Sequence, residues 1–468
     1  MLLRPGLSAS GAKVAVDPLT GTNYPFGLVG SFVPGIGNTA NGDVLAGKNG
    51  VPRSLYTVAP LYAAPRLGFA WDPVGDGKTA LRGGAGIYFD RIEGNPIMGQ
   101  IGNPPLIFSP VQYYGSFADI QSSLSSGLLA PNGSVTSLAG KGHQQAIYNF
   151  SMDAQRQFGR SDVVSVGYAG SMGRHLLWER NINPVPLGSN FLGLNPQNHD
   201  PAGSATTVLA PNFLRPFQGA GDILLYEFAG TSNYNGFLAS YSHRFGATRN
   251  ANLSYTFSKV LDEADAYGSQ VDAFISPRAR NYGPAGFDRR QTFTASYHCL
   301  LPKLAAGTGW RLARTVANGW EISGVTRMST GGPFTPSYSL INSLPSPTGS
   351  TSETARVQVI NPTAPVVERF SPPTQGPPYS LGNLGKNTIT GPGVNNWDIS
   401  LYRLVKFTER VTGQLRLETY NTFNHTQFSA VDQTLKFDST GKQVNPLFDL
   451  PSTNRPPRRV QLSVRATF

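Results

Sequence analysis

The chain has 468 residues and a net charge of +11, with 39% hydrophobic residues but only 14% charged ones, against a usual charged share of roughly 25%. The gap is filled by 53 Gly, 37 Pro and many Ser, Thr, Asn and Gln, a mix that excludes a helical protein because Gly and Pro cost roughly 1 and 3 kcal/mol inside helices. A single cysteine, Cys299, excludes an intrachain disulfide framework and a cysteine-built zinc site.

The Lys and Arg residues are scattered and form no stripe, so no nucleic-acid partner is expected. The N-terminus, MLLRPGLSAS, lacks the apolar run of a signal peptide. No stretch reaches the roughly 18 apolar residues of a membrane-crossing helix. A β-barrel would escape that search, because its strands alternate apolar and polar positions.

Residues 1–54 are rich in Gly, Pro and Asn and read as a loop-like segment. Period-two strands follow from there. RLGFAW (Arg66–Trp71) places Leu67, Phe69 and Trp71 on one face. Lys78–Asp90 groups Leu81, Ala85, Ile87 and Phe89 opposite Lys78 and Arg82. Ala146–Phe158 sets Tyr148, Phe150, Met152 and Ala154 against Asn149, Ser151, Asp153 and Gln155. Val163–Ser171, Tyr234–Phe245, Ala251–Lys259, Arg290–Leu301, Asn318–Thr330, Asn396–Val405 and Thr412–Phe423 continue the series, and Arg458–Phe468 makes eleven. Many exceed the usual strand length of about 5–6 residues and suit a tilted membrane-crossing strand of roughly 9–11.

The connections alternate. Asp72–Gly77, Gly159–Arg160, Gly246–Asn250 and Lys406–Arg410 are tight; Arg91–Gly142, Arg174–Ser232, Leu261–Asp288, Gly332–Val394 and His425–Pro457 are long, with Pro302–Val316 intermediate. Tight turns at one end of a meander and extended loops at the other are the outer-membrane barrel pattern. The fold class is therefore all-β: an antiparallel meander of about eleven long strands, part of a transmembrane β-barrel.

Parity agrees. Arg459, Gln461 and Arg465 share the polar face of the last strand; Gln414, Arg416 and Glu418 share that of the strand before it, and all six are candidate lumen-facing residues. An Arg facing lipid at the bilayer midplane would cost roughly 2–4 kcal/mol. Arg156 breaks the parity, near a tight turn where a long side chain can snorkel. Trp71, Phe89, Phe158, Trp397 and Phe423 lie near strand ends, where either an aromatic girdle or ordinary packing would put them.

APRLGFAWDP, GDGKTALRGGAGIYFDR, DAQRQFG with VVSVGYAGSMGRHL, SYTFSKVLDEA, FDRRQTFTASYHCLLP, GWEISGVTRMSTGGPFTP, GPGVNNWDISLYRLV and LRLETYNTFNHTQF together resemble the barrel of Oar-like TonB-dependent outer-membrane transporters of the acidobacterial type. The similarity runs from about Leu55 to Phe468. It implies a barrel of about 22 strands around a plug, placed in the outer membrane of a Gram-negative bacterium and energised by TonB through that plug. No plug, TonB-contacting box or signal peptide is recognised in this sequence, and an odd strand number leaves two open edges. The expectation is that residues 55–468 are the C-terminal portion of such a barrel. In the same resemblance Val460, Leu462, Val464, Ala466 and Phe468 are the C-terminal signal read by the barrel-assembly machinery, with outer-membrane lipid on that face.

No catalytic, cofactor-binding or metal-binding pattern accompanies the strands. The six histidines have no ligand spacing, and His243 and His298 fall within strands, where a hydrogen-bonded structural role is expected. RGGAG (Arg82–Gly86) has no helix after it, so its glycines fit strand bending or close packing rather than a phosphate loop. Asp262, Glu263, Asp265 and Asp272 form an acidic loop patch without the EF-hand spacing and read as a solvated loop. Two other functions stay open: an adhesion or structural barrel that transports nothing, and a soluble secreted β-protein that binds glycans.

Overall fold

Each of eleven strands pairs antiparallel with the next in sequence, so the sheet is an uninterrupted meander. The computed structural model describes residues 1–37, 42–57, 59, 61–117, 121, 126–140, 142–246, 249–303, 307, 309–310, 314, 316–341, 347–352, 355–374, 376 and 379–468. Parts of the Gly246–Asn250, Pro302–Val316 and Gly332–Val394 connections lie outside the described residues. The strands are β1 (Arg66–Trp71), β2 (Thr79–Asp90), β3 (Gln145–Phe158), β4 (Asp162–Asn181), β5 (Ile223–Arg244), β6 (Asn250–Asp262), β7 (Gln291–Leu300), β8 (Trp320–Ser329), β9 (Val394–Lys406), β10 (Thr412–Tyr420) and β11 (Arg459–Thr467).

The sheet is open. Its path ends at β1 on one side and β11 on the other, and these two do not pair with each other. Both run toward the end of the sheet that carries the tight turns, since β1 leads into residues 72–78 and β11 reaches the level of Thr412.

Two strands are longer than their alternation suggests: β4 has 20 residues and β5 has 22. The pattern breaks at a register shift between Gly173 and Leu176, where His175 takes a φ of 56°. A bulge inserts extra residues and shifts side-chain parity, so alternation stops being readable although pairing resumes. Beyond it, Leu177–Asn181 pairs with Leu224–Phe228 in a hairpin held by Arg180, whose guanidinium makes two bonds of 2.8 and 2.7 Å to Glu227.

The N-terminal segment read as loop-like contains a small sheet of Arg4–Leu7, Lys13–Val16 and Asn23–Pro25. Leu2, Leu3, Ala15, Leu28, Val29 and Val33 form its core together with Leu209 and Phe213 of the β4–β5 connection. A four-residue strand is too short to show a period, and two of the eight buried residues of its core, Leu209 and Phe213, come from a distant loop.

The other long connections are also folded. Phe334, Val357, Phe370, Leu384 and Ile389 from the β8–β9 connection share a core with Leu435, Phe437 and Phe448 from the β10–β11 connection. Parallel pairing of Ser337–Leu340 with Thr434–Phe437 ties the same two loops together. The meander thus carries a packed cap at one end and bare tight turns at the other.

Glycines in the sheet allow rings to lie flat on it. A Cβ on Gly83 would stand 2.4 Å from the Phe69 ring, and one on Gly170 2.3 Å from that of Phe150. These are cross-strand pairs on the apolar face, which gives part of RGGAG a packing role.

Candidate functional site

Cross-strand partners share a face, so the register decides which side chains stand together. Gln414 faces Arg465, Arg416 faces Ser463 and Glu418 faces Gln461; on the opposite face Leu415 meets Val464, Leu417 meets Leu462 and Thr419 meets Val460. Continuing through β9, β8, β7 and β6, the polar face collects Asp398, Ser400, Tyr402, Glu321, Ser323, Arg327, His298, Ser296, Thr294, Asn252 and Ser254. The other face collects Ile399, Leu401, Ile322, Met328, Phe293, Ala295, Leu253 and Tyr255.

Burial is inverted relative to a water-soluble protein. On β10 the polar Gln414, Arg416 and Glu418 are half-buried, whereas Leu415 and Leu417 are exposed. Leu67, at 79%, and Leu462, at 69%, are among the large apolar residues left open on that face. A continuous apolar surface of this kind marks contact with another apolar phase. Cavities of about 860 and 430 Å³ are lined mainly by residues of the polar face, so the sheet curves toward it.

The six polar residues singled out from the sequence all lie on this face, but they are not equivalent. Gln414, Arg416 and Glu418 have neighbours on both sides, and Arg416 donates to Glu418 at 2.8 Å. Arg459, Gln461 and Arg465 are exposed because β11 pairs on one side only. Val460, Leu462, Val464 and Ala466 stand together on the apolar face, and Phe468, 96% exposed, follows the last paired residue, Thr467.

Sequence reading missed a network between strands. His298 Nε2 lies 2.6 Å from Glu321 Oε2, the Tyr402 hydroxyl donates to the same oxygen at 3.1 Å, and Arg249 reaches Oε1 at 3.3 Å. Each of His298, Glu321 and Tyr402 has polar parity on a different strand, so parity was the available signal; only the register brings them together. His243, on the apolar face near the tight turns, is held by Asp162 at 2.7 Å. The parity-breaking Arg156 donates to Thr79 at 2.8 Å and lies over the Phe158 ring, keeping its head at the turn end. Trp397 and Phe423 meet edge to face at 5.5 Å near the loop end of the sheet.

Three of the four carboxylates of the acidic loop patch are buried rather than solvated, and only Asp265 remains exposed. Asp262, Glu263 and Asp272 are each 3% exposed, and each has a cation from a distant part of the chain or loop. Lys386 pairs with Asp262 and with Asp265, Arg278 reaches Glu263 at 3.4 Å, and Arg280 reaches Asp272 at 3.5 Å. Burial explains why these carboxylates are matched, since an unpaired buried charge is costly. In the same cap Arg356 is pushed down to about 10 by its own burial and by Arg280 beside it. Burial pushes the Tyr114 hydroxyl up to about 12.

An antiparallel meander with an apolar outer face, a polar inner face and segregated connections is the wall of a membrane-spanning β-barrel. The chain belongs to the outer membrane beta barrel domain family, whose model matches residues 18–461, and it resides in the outer membrane of a Gram-negative bacterium. Among solved structures it is similar to the outer membrane transporter YddB from Escherichia coli, at 11% identity and a TM-score of 0.46, over 86% of this chain and 40% of that one. It is also similar to the FrpB iron transporter from Neisseria meningitidis, at 14% identity and a TM-score of 0.38, over 86% of this chain and 39% of that one. The ferripyoverdine receptor of the outer membrane of Pseudomonas aeruginosa is similar at 8% identity and a TM-score of 0.35, over 86% and 32% of the two chains. The chain therefore spans two fifths or less of the length of these proteins. No curated protein matches it in sequence.

Proposed function

We propose that this chain is the barrel portion of an Oar-like TonB-dependent receptor that takes a bulky solute across the outer membrane. The observation that carries this reading is the inverted sheet: a polar, ion-paired face lining cavities, backed by an exposed apolar face. The packed external loops would capture the solute, and the polar face would line its path. Val460, Leu462, Val464, Ala466 and Phe468 would present the assembly signal to the barrel-assembly machinery and then face lipid. TonB would act through a plug filling the lumen.

The open edges fit a larger barrel. Because β1 and β11 run in the same direction, antiparallel closure between them needs an odd number of further strands. Eleven more would give the roughly 22 strands of the transporter architecture.

The test is made in cells producing the protein, with and without a functional TonB. Solute accumulation that requires both this chain and TonB is expected. A heat-modifiable outer-membrane protein whose presence changes no TonB-dependent uptake would instead leave an adhesion or structural barrel.

A further inference from the structure

A cavity of about 860 Å³ on the polar face is lined by three arginines from separate places: Arg327 on β8, Arg455 before β11 and Arg459 on β11. Its one carboxylate is Asp398, which accepts a hydrogen bond from the Asn421 backbone N–H at 2.8 Å. Among the described residues none of the three guanidinium groups has a carboxylate partner. Elsewhere on this face Arg416 sits on Glu418, Arg249 on Glu321 and Arg82 on Asp153, while Arg465 and Arg244 stand singly without a carboxylate partner among the described residues and line neither this cavity nor its neighbour. The rest of the lining is uncharged: the amides Asn396, Asn421, Gln427 and Gln461, which can donate hydrogen bonds, with Tyr420 and valine and proline side chains.

A second cavity, of about 190 Å³, shares Val394 and Arg455 with the first and lies nearer the loop cap. It adds Arg289, which donates only to backbone carbonyls, those of Gly286 at 3.3 Å and Asp288 at 2.8 Å. The four arginines therefore form a track that descends from the cap along the inner wall. Like charges set together without counterions repel each other, and low-dielectric walls focus their field. Guanidinium groups in such a track suit carboxylate or phosphate oxygens, which they grip with two parallel bonds.

We propose that Arg289, Arg455, Arg327 and Arg459 form a binding track for a polyanionic solute bearing clustered carboxylate or phosphate groups. This rests on the polar face being the lumen of an outer-membrane barrel, and it names the chemical class of what that lumen accepts.

The experiment is titration calorimetry on the full chain folded in detergent micelles, with citrate and tripolyphosphate as probes and maltotriose as the uncharged control. Binding of at least one polyanion is expected, with none of maltotriose, and the preferred probe assigns carboxylate or phosphate. Arg327→Ala, Arg455→Ala and Arg459→Ala should each weaken it about tenfold, whereas Arg410→Ala, in a tight turn, should leave it unchanged. Heat-modifiable migration is recorded for every variant. Loss of binding with loss of that migration in one variant is resolved by the corresponding Arg→Gln variant, which keeps polarity and removes charge. No polyanion binding by a heat-modifiable wild-type chain, or binding indifferent to all three substitutions, would overturn the track while leaving the barrel intact. Absence of heat-modifiable migration in the wild type would count against the barrel reading itself.

Discussion

Lys386 pairs with Asp262, 124 residues earlier in the chain, and also reaches Asp265 at 2.9 Å. The Lys386 and Asp262 side chains are only 9% and 5% exposed. This contact joins the β8–β9 connection to the end of β6 and helps make the long loops one cap. Lys386→Met would strand two carboxylates, and breaking a buried pair costs about 3–5 kcal/mol. The expected outcome is a cap cleaved much faster by protease added to intact cells, with the membrane-embedded sheet still protected. Unchanged cleavage would show that the pair does not hold the cap.

The two faces of β10 and β11 can be tested against each other. Leu417 and Leu462 are cross-strand partners on the apolar face, and Glu418 and Gln461 are partners on the polar one. Leu417→Arg should destabilise the folded protein in lipid vesicles by about 2–4 kcal/mol. Gln461→Arg, one position from Leu462, should cost far less. Equal effects in urea unfolding would reverse the assignment of lipid and lumen.

Phe468 is the most exposed of the apolar residues at the end of β11, and no strand covers it. If it completes the assembly signal with Val460, Leu462, Val464 and Ala466, Phe468→Ala should lower the amount of protein inserted in the outer membrane several-fold in cells. The same variant should fold as well as wild type when refolded directly into detergent, where no machinery reads the signal. A defect in both settings would assign Phe468 to stability alone.

Asp432 gives a pH prediction for the cap. Its carboxylate is held below the usual range by the Thr434 backbone N–H at 2.9 Å and by Asn445 Nδ2 at 3.1 Å. A depressed carboxylate contributes stability that is present above its unfolded value, near 3.9, and lost as pH falls through the lower folded value. Protease sensitivity of the His425–Pro457 connection should therefore rise below about pH 4. Asp432→Asn should already be sensitive at neutral pH and show a smaller acid step.

The eleven strands were legible because alternation is a local property. Leu415, Leu417, Val460 and Leu462 reveal their face from their own neighbours, with no knowledge of what they pair with. Connection lengths were equally readable, since they need only counting. Alternation failed at Gly173–Leu176, where a bulge changed parity in mid-strand, and in the N-terminal segment, whose strands are too short to show a period. Lys386 with Asp262, and His298 with Glu321 and Tyr402, were invisible because each pair is brought together only by folding.

The sequence by itself determined the two-faced strands, their order and their segregated connections, since side-chain alternation and loop length are written residue by residue. Tertiary structure alone decided the register, the packed cap, the ion-paired acidic patch and the arginines left unmatched along the inner wall. These depend on which strand lies beside which and on how far each is shifted. A slip of one residue would move every side chain to the other face, so the contents of a site built across strands exist only once the sheet has formed.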